Sequence, residues 1–161
     1  MNEAMRFRRA EVGALAAQTL LMLGRADVLF AADGVFNQAT QRFYWNDHLD
    51  LLKRLVNRDS ADAKQLLQSI AQADQAGAGA IRQMIIGYSQ TQLAAGADQI
   101  LVNHLTAESM ALRVLAIENL REITGTTLNY KPGLTNASRR ESDAKKWIAR
   151  IRKGDIRWPT E

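Results

Sequence analysis

The chain contains no cysteine, which removes a disulfide framework, a thiolate zinc site and a thiol nucleophile together. Only two prolines and ten glycines stand among 161 residues rich in Ala, Leu, Gln and Arg, a balance that favours helix. No alternating apolar and polar run of useful length is present, so little sheet is expected. No stretch reaches the roughly 20 apolar residues that a membrane-spanning helix needs. Arg6, Arg8 and Arg9 ahead of the apolar residues 12–23 imitate a signal peptide, but Glu11 and Gln18 break the pattern and no small-x-small cleavage site follows. The expected location is therefore cytoplasmic.

What is present is the composition of an ordinary globular protein, 47% hydrophobic and 24% charged. The length suits one helical domain, residues 1–161, with a core that needs neither metal nor cross-link. The net charge of +4 is unevenly placed. Residues 1–125 hold 12 Lys/Arg against 13 Asp/Glu, whereas residues 126–161 hold 9 against 4. The basic character thus belongs to the C-terminal end. A surface of that kind attracts nucleic acid, anionic lipid or an acidic protein, and charge alone does not choose among them.

Helical spacing recurs along the chain. A first helix is expected from Ala10 to Leu23 with Gly24 near its end, then a short turn over 26–32 before the turn signal Asp33-Gly34. Trp45, His48, Leu49, Leu52 and Val56 form one apolar stripe. Asp59 or Ser60 is placed to cap a helix carrying Ala63, Leu66, Leu67 and Ile70 on one face. Residues 76–80, reading AGAGA, look like a flexible linker ahead of Ile81, Met84, Ile85 and Tyr88. Ser89 and Gln92 match a capping box, and Gly96 should split the helix that follows. Ser109 should cap a long helix from Met110 to Thr124, stopped by Gly125. Residues 126–137 form an irregular connection with a turn at Pro132-Gly133 and a short extended piece at 127–130. Residues 138–161 are a basic helix, with Ala144, Trp147, Ile148 and Ile151 inward, and a tail in which Trp158 folds back.

One segment recurs at an offset of one hundred residues: Leu15, Ala16, Leu20 and Leu23 answer to Leu115, Ala116, Leu120 and Ile123. Two such helices with others between them predict helix pairs stacked in layers. The run Leu112-Arg113-Val114-Leu115-Ala116-Ile117-Glu118-Asn119-Leu120-Arg121, closed by Ile123-Thr124-Gly125, resembles a helix of the HEAT-like and armadillo-like repeat class. More narrowly, Tyr44-Trp45, Gly87-Tyr88-Ser89, Ala95-Gly96-Ala97-Asp98, Arg113-Val114-Leu115-Ala116, Ile123-Thr124-Gly125 and Trp147 resemble pieces of helical-repeat domains of planctomycete bacteria. The resemblance implies an all-α, right-handed stack of helix pairs, short and irregular, and it implies no activity.

Reactive groupings are sparse. His104 shares an apolar face with Ile100, Leu101 and Leu105 and reads as a core imidazole. His48 lies between Asp47 and Asp50, but only Leu51 and Leu52 stand one turn on, so no metal site is expected. Gly77-x-Gly79 lacks the strand and the Lys-Ser/Thr of a phosphate loop. Glu118 and Glu122, one turn apart, read as a solvated face balanced by Arg113 and Arg121. Asn136-Ala-Ser138 matches a glycosylation sequon and carries little weight. Trp45, Tyr44 and Phe43 form an aromatic cluster read as core packing, with a partner anchor as the alternative.

The candidate binding residues are the cations of the last helix: Arg139, Arg140, Lys145, Lys146, Arg150, Arg152 and Lys153, expected on its outward faces. No aromatic residue interleaves with them on that outer face, which counts against a single-strand stacking platform. The expected function is a non-enzymatic interaction or scaffold module with another protein as partner, without cofactor or metal. The alternative is a nucleic-acid-binding domain that uses the basic helix.

Overall fold

The computed structural model describes residues 9–58, 61–73 and 76–159, and every regular element among them is helical. The protein is all-α. The chain divides into two compact units, residues 1–86 and 87–161.

In the first unit, α1 (Ala10–Met22) is followed by the single turn α2 (Asp27–Phe30), then α3 (Trp45–Val56), α4 (Ala61–Ala73) and α5 (Ala78–Ile86). Helix α1 packs on α2 and α3, and α4 packs on α2, α3 and α5. The core draws Ala17, Leu20 and Leu21 from α1, Leu49 and Leu52 from α3, Leu66 and Ile70 from α4, and Ile81, Met84 and Ile85 from α5. The stripe read from Trp45 to Leu52 is the buried face of α3, although Val56 at its end is only half-buried. Trp45 donates its indole N–H to the Val35 carbonyl at 3.0 Å, which satisfies the polar edge of a buried ring. Ser69 of α4 caps α2 from a distance, its hydroxyl accepting the Ala26 and Asp27 amides at 3.1 and 3.3 Å. The turn at Asp33-Gly34 depends on glycine, because a Cβ at Gly34 would lie 2.6 Å from the Leu29 carbonyl oxygen. The proposed caps Asp59 and Ser60 lie outside the described residues.

The AGAGA stretch departs from the sequence reading. Its last three residues are the first turn of α5, with the Ile81 amide bonded to the Gly77 carbonyl at 2.8 Å. Burial of Ile81, Met84 and Ile85 holds a helix start that propensity disfavours. Gly79 sits in that turn with nothing within 4 Å of where a Cβ would be. Gly79→Ala should therefore stabilise the protein by about 0.5–1 kcal/mol, read as a higher urea midpoint with an unchanged slope.

In the second unit the capping box forms as read: Ser89 Oγ accepts the Gln92 amide and Gln92 Oε1 accepts the Ser89 amide. The single turn α6 (Gln90–Gln92) leads through Gly96, at φ 102°, into α7 (Asp98–Asn103). Helix α8 (Met110–Thr124) begins on Ser109, whose hydroxyl accepts the Leu112 amide, and ends at Gly125 with φ 73°. It buries Val114, Leu115, Ala116, Ile117, Leu120 and Ile123. Helix α9 (Ala137–Arg152) packs on α7 and buries Ala144 and Trp147. Its N-cap is Asn136, the asparagine of the sequon match, whose side chain accepts the Arg139 amide at 3.0 Å.

The connection before α9 is more structured than its composition suggests. Residues 127–130 form a turn instead of an extended piece, with the Tyr130 amide bonded to the Thr127 carbonyl and Leu128 and Asn129 at φ 49° and 61°. Tyr130 is buried and its hydroxyl donates to the Leu105 carbonyl. That burial pushes the Tyr130 phenol up to about 12.

Candidate functional site

The structure separates the seven candidate cations, six on α9 and Lys153 just after it, by their exposure. Arg139, Lys145, Lys146, Arg152 and Lys153 are exposed and Arg150 is half-buried. Arg140, expected on the outward face, is buried at 4% exposure and is removed from the candidate binding surface. Its Nη1 donates to the carbonyls of Leu134 and Thr135 at 3.2 and 2.8 Å, and its Nη2 lies 3.4 Å from Glu108 Oε1. At 100° per residue Arg140 falls on the same side of the helix as Ala144, Trp147 and Ile151, and only its length let the sequence reading place it outside.

A second arginine does the same work from α8. Arg113 is buried, its Nε donating to the Pro132 carbonyl at 2.8 Å and its Nη1 to those of Ala107 and Glu108 at 2.6 and 2.7 Å. Desolvation lowers its pKa from the ordinary arginine value. Sequence reasoning placed both Arg113 and Arg121 on a solvated face balancing Glu118 and Glu122. In the structure Arg121 does pair with Glu118 at 2.8 Å, and Arg113 is the one that is buried elsewhere. Among the remaining cations of α9, Lys146 pairs with Asp143 at 2.8 Å, and Arg150 reaches Asp155 only at 3.9 Å.

The end of α9 turns the chain back. Gly154 at φ 67° lets its own amide bond the Ile151 carbonyl and the Asp155 amide bond the Arg150 carbonyl, at 2.9 and 3.0 Å. Ile156 is then buried, and Trp158 is fixed by its backbone amide on Gln90 Oε1 and its indole N–H on the Tyr88 carbonyl, at 3.0 and 2.8 Å. Trp158 thus folds back as read from the sequence. The fold-back also brings an aromatic ring to the cations, which the outer face of α9 lacks. Trp158, Arg150, Arg157 and Asp155 line a cleft of about 360 Å³ closed below by Ile123 and Thr124 at the end of α8. The sequence reading had Trp158 folding back but placed neither it nor Arg157 in a binding site; the available signal was the cation–aromatic pair Arg157-Trp158 shortly beyond the helix-ending Gly154.

In the first unit, α1 is apolar on two sides. Ala17, Leu20 and Leu21 face the core, while Leu15, Met22 and Leu23 are 66%, 68% and 63% exposed. With Val12 and Thr19, these residues fall within about 100° of one another around the helix. The recurring segment therefore differs in burial between its two occurrences. Leu20 and Leu120 are both buried, but Leu15 and Leu23 are exposed where Leu115 and Ile123 are buried. Beside this face a cleft of about 350 Å³ between α1 and α3 is lined by Gln18, Met22, Asp47, Asp50, Leu51 and Arg54.

His48 lies on the buried stripe where it was read, whereas His104, read as a core imidazole, is less enclosed. His48 is wholly buried with neither ring nitrogen hydrogen-bonded, and burial pushes it down to about 4 despite the opposing charge of Asp47. His104 is only half-buried, and burial lowers its pKa from the ordinary value. Asp47 and Asp50 lie exposed on α3. Of the aromatic cluster, Trp45 is core, whereas Phe43 is 75% exposed with the Arg42 guanidinium 4.7 Å from its ring centre. Among the described residues no three His, Asp or Glu side chains are grouped to hold a metal ion, and no helix is long and apolar enough to cross a membrane. No family model, no curated protein and no solved structure matches the chain.

Proposed function

We propose that the chain is a non-enzymatic protein-interaction module built from short, irregular stacked helix pairs, and that it docks a partner helix along the outward face of α1. The observation that carries this reading is the face itself: four apolar side chains on one stripe, three of them more than 60% exposed. The stripe from Val12 to Leu23 is about 16 Å long, the reach of a three-turn contact with another helix. Asp47 and Asp50 beside Met22 and Leu51, against the single cation Arg54, favour a partner whose apolar stripe is flanked by lysine or arginine.

The test uses a synthetic helix of about 18 residues with one leucine stripe flanked by lysines, and a twin flanked by glutamates. The lysine peptide should bind with micromolar affinity and the glutamate twin at least about tenfold more weakly. Leu15→Asp should abolish binding while changing folding stability by no more than about 0.5 kcal/mol, since the side chain is exposed. Equal binding of both peptides, or binding that survives Leu15→Asp, rejects the reading. A chain that sediments as a dimer until Leu15→Asp is introduced has a second copy as the occupant.

A second reading is favoured by one observation on α9. Arg139, Lys145, Arg152 and Lys153 are exposed and form no ion pair among the described residues. Such a surface supports nucleic-acid binding with a steep salt dependence.

A further inference from the structure

The cleft at the C-terminal end of the second unit combines three features that single-strand recognition requires. The first is an aromatic ring that does not move: the Trp158 indole is tied at one edge to the Tyr88 carbonyl, and the backbone beside it is tied to Gln90. A ring held in this way offers a stacking surface at little entropic cost. The second is positive charge. Arg157 is exposed and forms no ion pair among the described residues, and Arg150 is held only by a loose ion pair to Asp155 at 3.9 Å, with its guanidinium 5.9 Å from the Trp147 ring centre, so a phosphate competes with one weakly placed carboxylate. The third is size, about 360 Å³ open to solvent, with the apolar Ile123 at its base.

We propose that this cleft binds a nucleotide, its base laid on Trp158 and its phosphate between Arg150 and Arg157. Arg152 and Lys153, exposed in the last turn of α9 and the residue after it, would meet the next phosphate of a single strand. A duplex keeps its base faces stacked and offers nothing to the indole. Arg152 and Lys153 belong also to the basic surface of the second reading, whereas the contacts of the first nucleotide need neither the α1 face nor Arg139 and Lys145.

The experiment titrates the full chain, at about 50 mM salt, with a thymidine oligonucleotide, with thymidine 5′-phosphate, with a duplex of the same length and with an acidic peptide. Trp45 and Trp147 are buried, so quenching of the accessible tryptophan emission reports Trp158. Affinities of variants are read from the anisotropy of labelled oligonucleotide. The single strand should bind with micromolar affinity and the duplex at least about tenfold more weakly. Trp158→Leu should weaken the single strand about tenfold, the fold-change of one lost stacking contact. Because Arg157 is exposed and forms no ion pair among the described residues, Arg157→Gln should leave the fold intact, weaken binding and reduce the slope of log K against log salt by about 0.7.

Thymidine 5′-phosphate binding as tightly as the strand identifies a free nucleotide as the ligand of the same cleft, and a tighter strand identifies the polymer. The proposal is overturned by absence of binding at low salt, or by an Arg157→Gln variant that binds as well as the parent. Equal displacement by the acidic peptide overturns it too. So does equal binding of duplex and single strand that ignores Trp158→Leu and vanishes in Lys145→Ala/Lys146→Ala, which would move the anion site to the outer face of α9.

Discussion

Lowering the pH from 6.5 to 4 should cost the folded protein about 3 kcal/mol through His48 alone. The ring is buried with no partner for either nitrogen, and burial holds its folded-state pKa at about 4. In the unfolded chain the same imidazole titrates near 6.5. Between these values the unfolded state binds the extra proton, so unfolding becomes easier as the pH falls. The stability is fully present above the unfolded pKa and is lost as the pH drops through the folded one. His48→Leu should flatten this acid response and stabilise the protein at neutral pH by about 1 kcal/mol, because two unmade hydrogen bonds leave the core with the ring. Urea midpoints at steps from pH 7 to pH 4, for parent and variant, measure both effects. A residual slope in the variant belongs in part to His104, whose pKa burial also lowers. An unchanged acid slope in His48→Leu would reject the assignment.

The second large effect separates two neighbouring arginines. Arg139→Met should leave stability within about 0.5 kcal/mol of the parent, while Arg140→Met should cost about 2 kcal/mol and Arg113→Met about 3 kcal/mol. Methionine keeps much of the stem packing, so the loss isolates the guanidinium bonds. Arg113 serves carbonyls on both sides of α8, at Ala107, Glu108 and Pro132, and Arg140 serves Leu134, Thr135 and the Glu108 side chain. The two share the connection ahead of α9, so the double variant should cost measurably less than the sum of the singles. A lysine at either position reaches fewer acceptors and should rescue only in part. Chemical denaturation of the four variants checks the order; an Arg139 effect equal to that of Arg140 would show that burial is not the cause.

What was legible in the sequence was what short-range chemistry dictates. Ser89 with Gln92, Ser109 and Gly125 each act on backbone groups within four residues, and all three mark helix boundaries where they were read. A helical stripe gives an angle around an axis, and α3 kept its buried face for that reason. It does not say what stands opposite. Leu15 matched Leu115 letter for letter and Leu23 answered to Ile123 in kind, yet only Leu115 and Ile123 are covered. Arg140 illustrates a related limit: its position was inward, but its acceptors are loop carbonyls five and six residues back whose direction depends on the turn before α9. The cleft was out of reach for a longer-range reason, since the ring that completes it is held by a backbone carbonyl seventy positions away in sequence. His48 was assigned to the stripe but not to a partnerless burial, because no local pattern reveals a missing hydrogen bond.

The bonds from Trp158 to Tyr88 and Gln90 also bring the entry and exit of the second unit to one place. A segment whose two ends meet behaves as a closed cassette. It can be spliced into a surface turn of a host protein without prising the host's strands or helices apart, and it can be reopened elsewhere once its old ends are joined by a short linker.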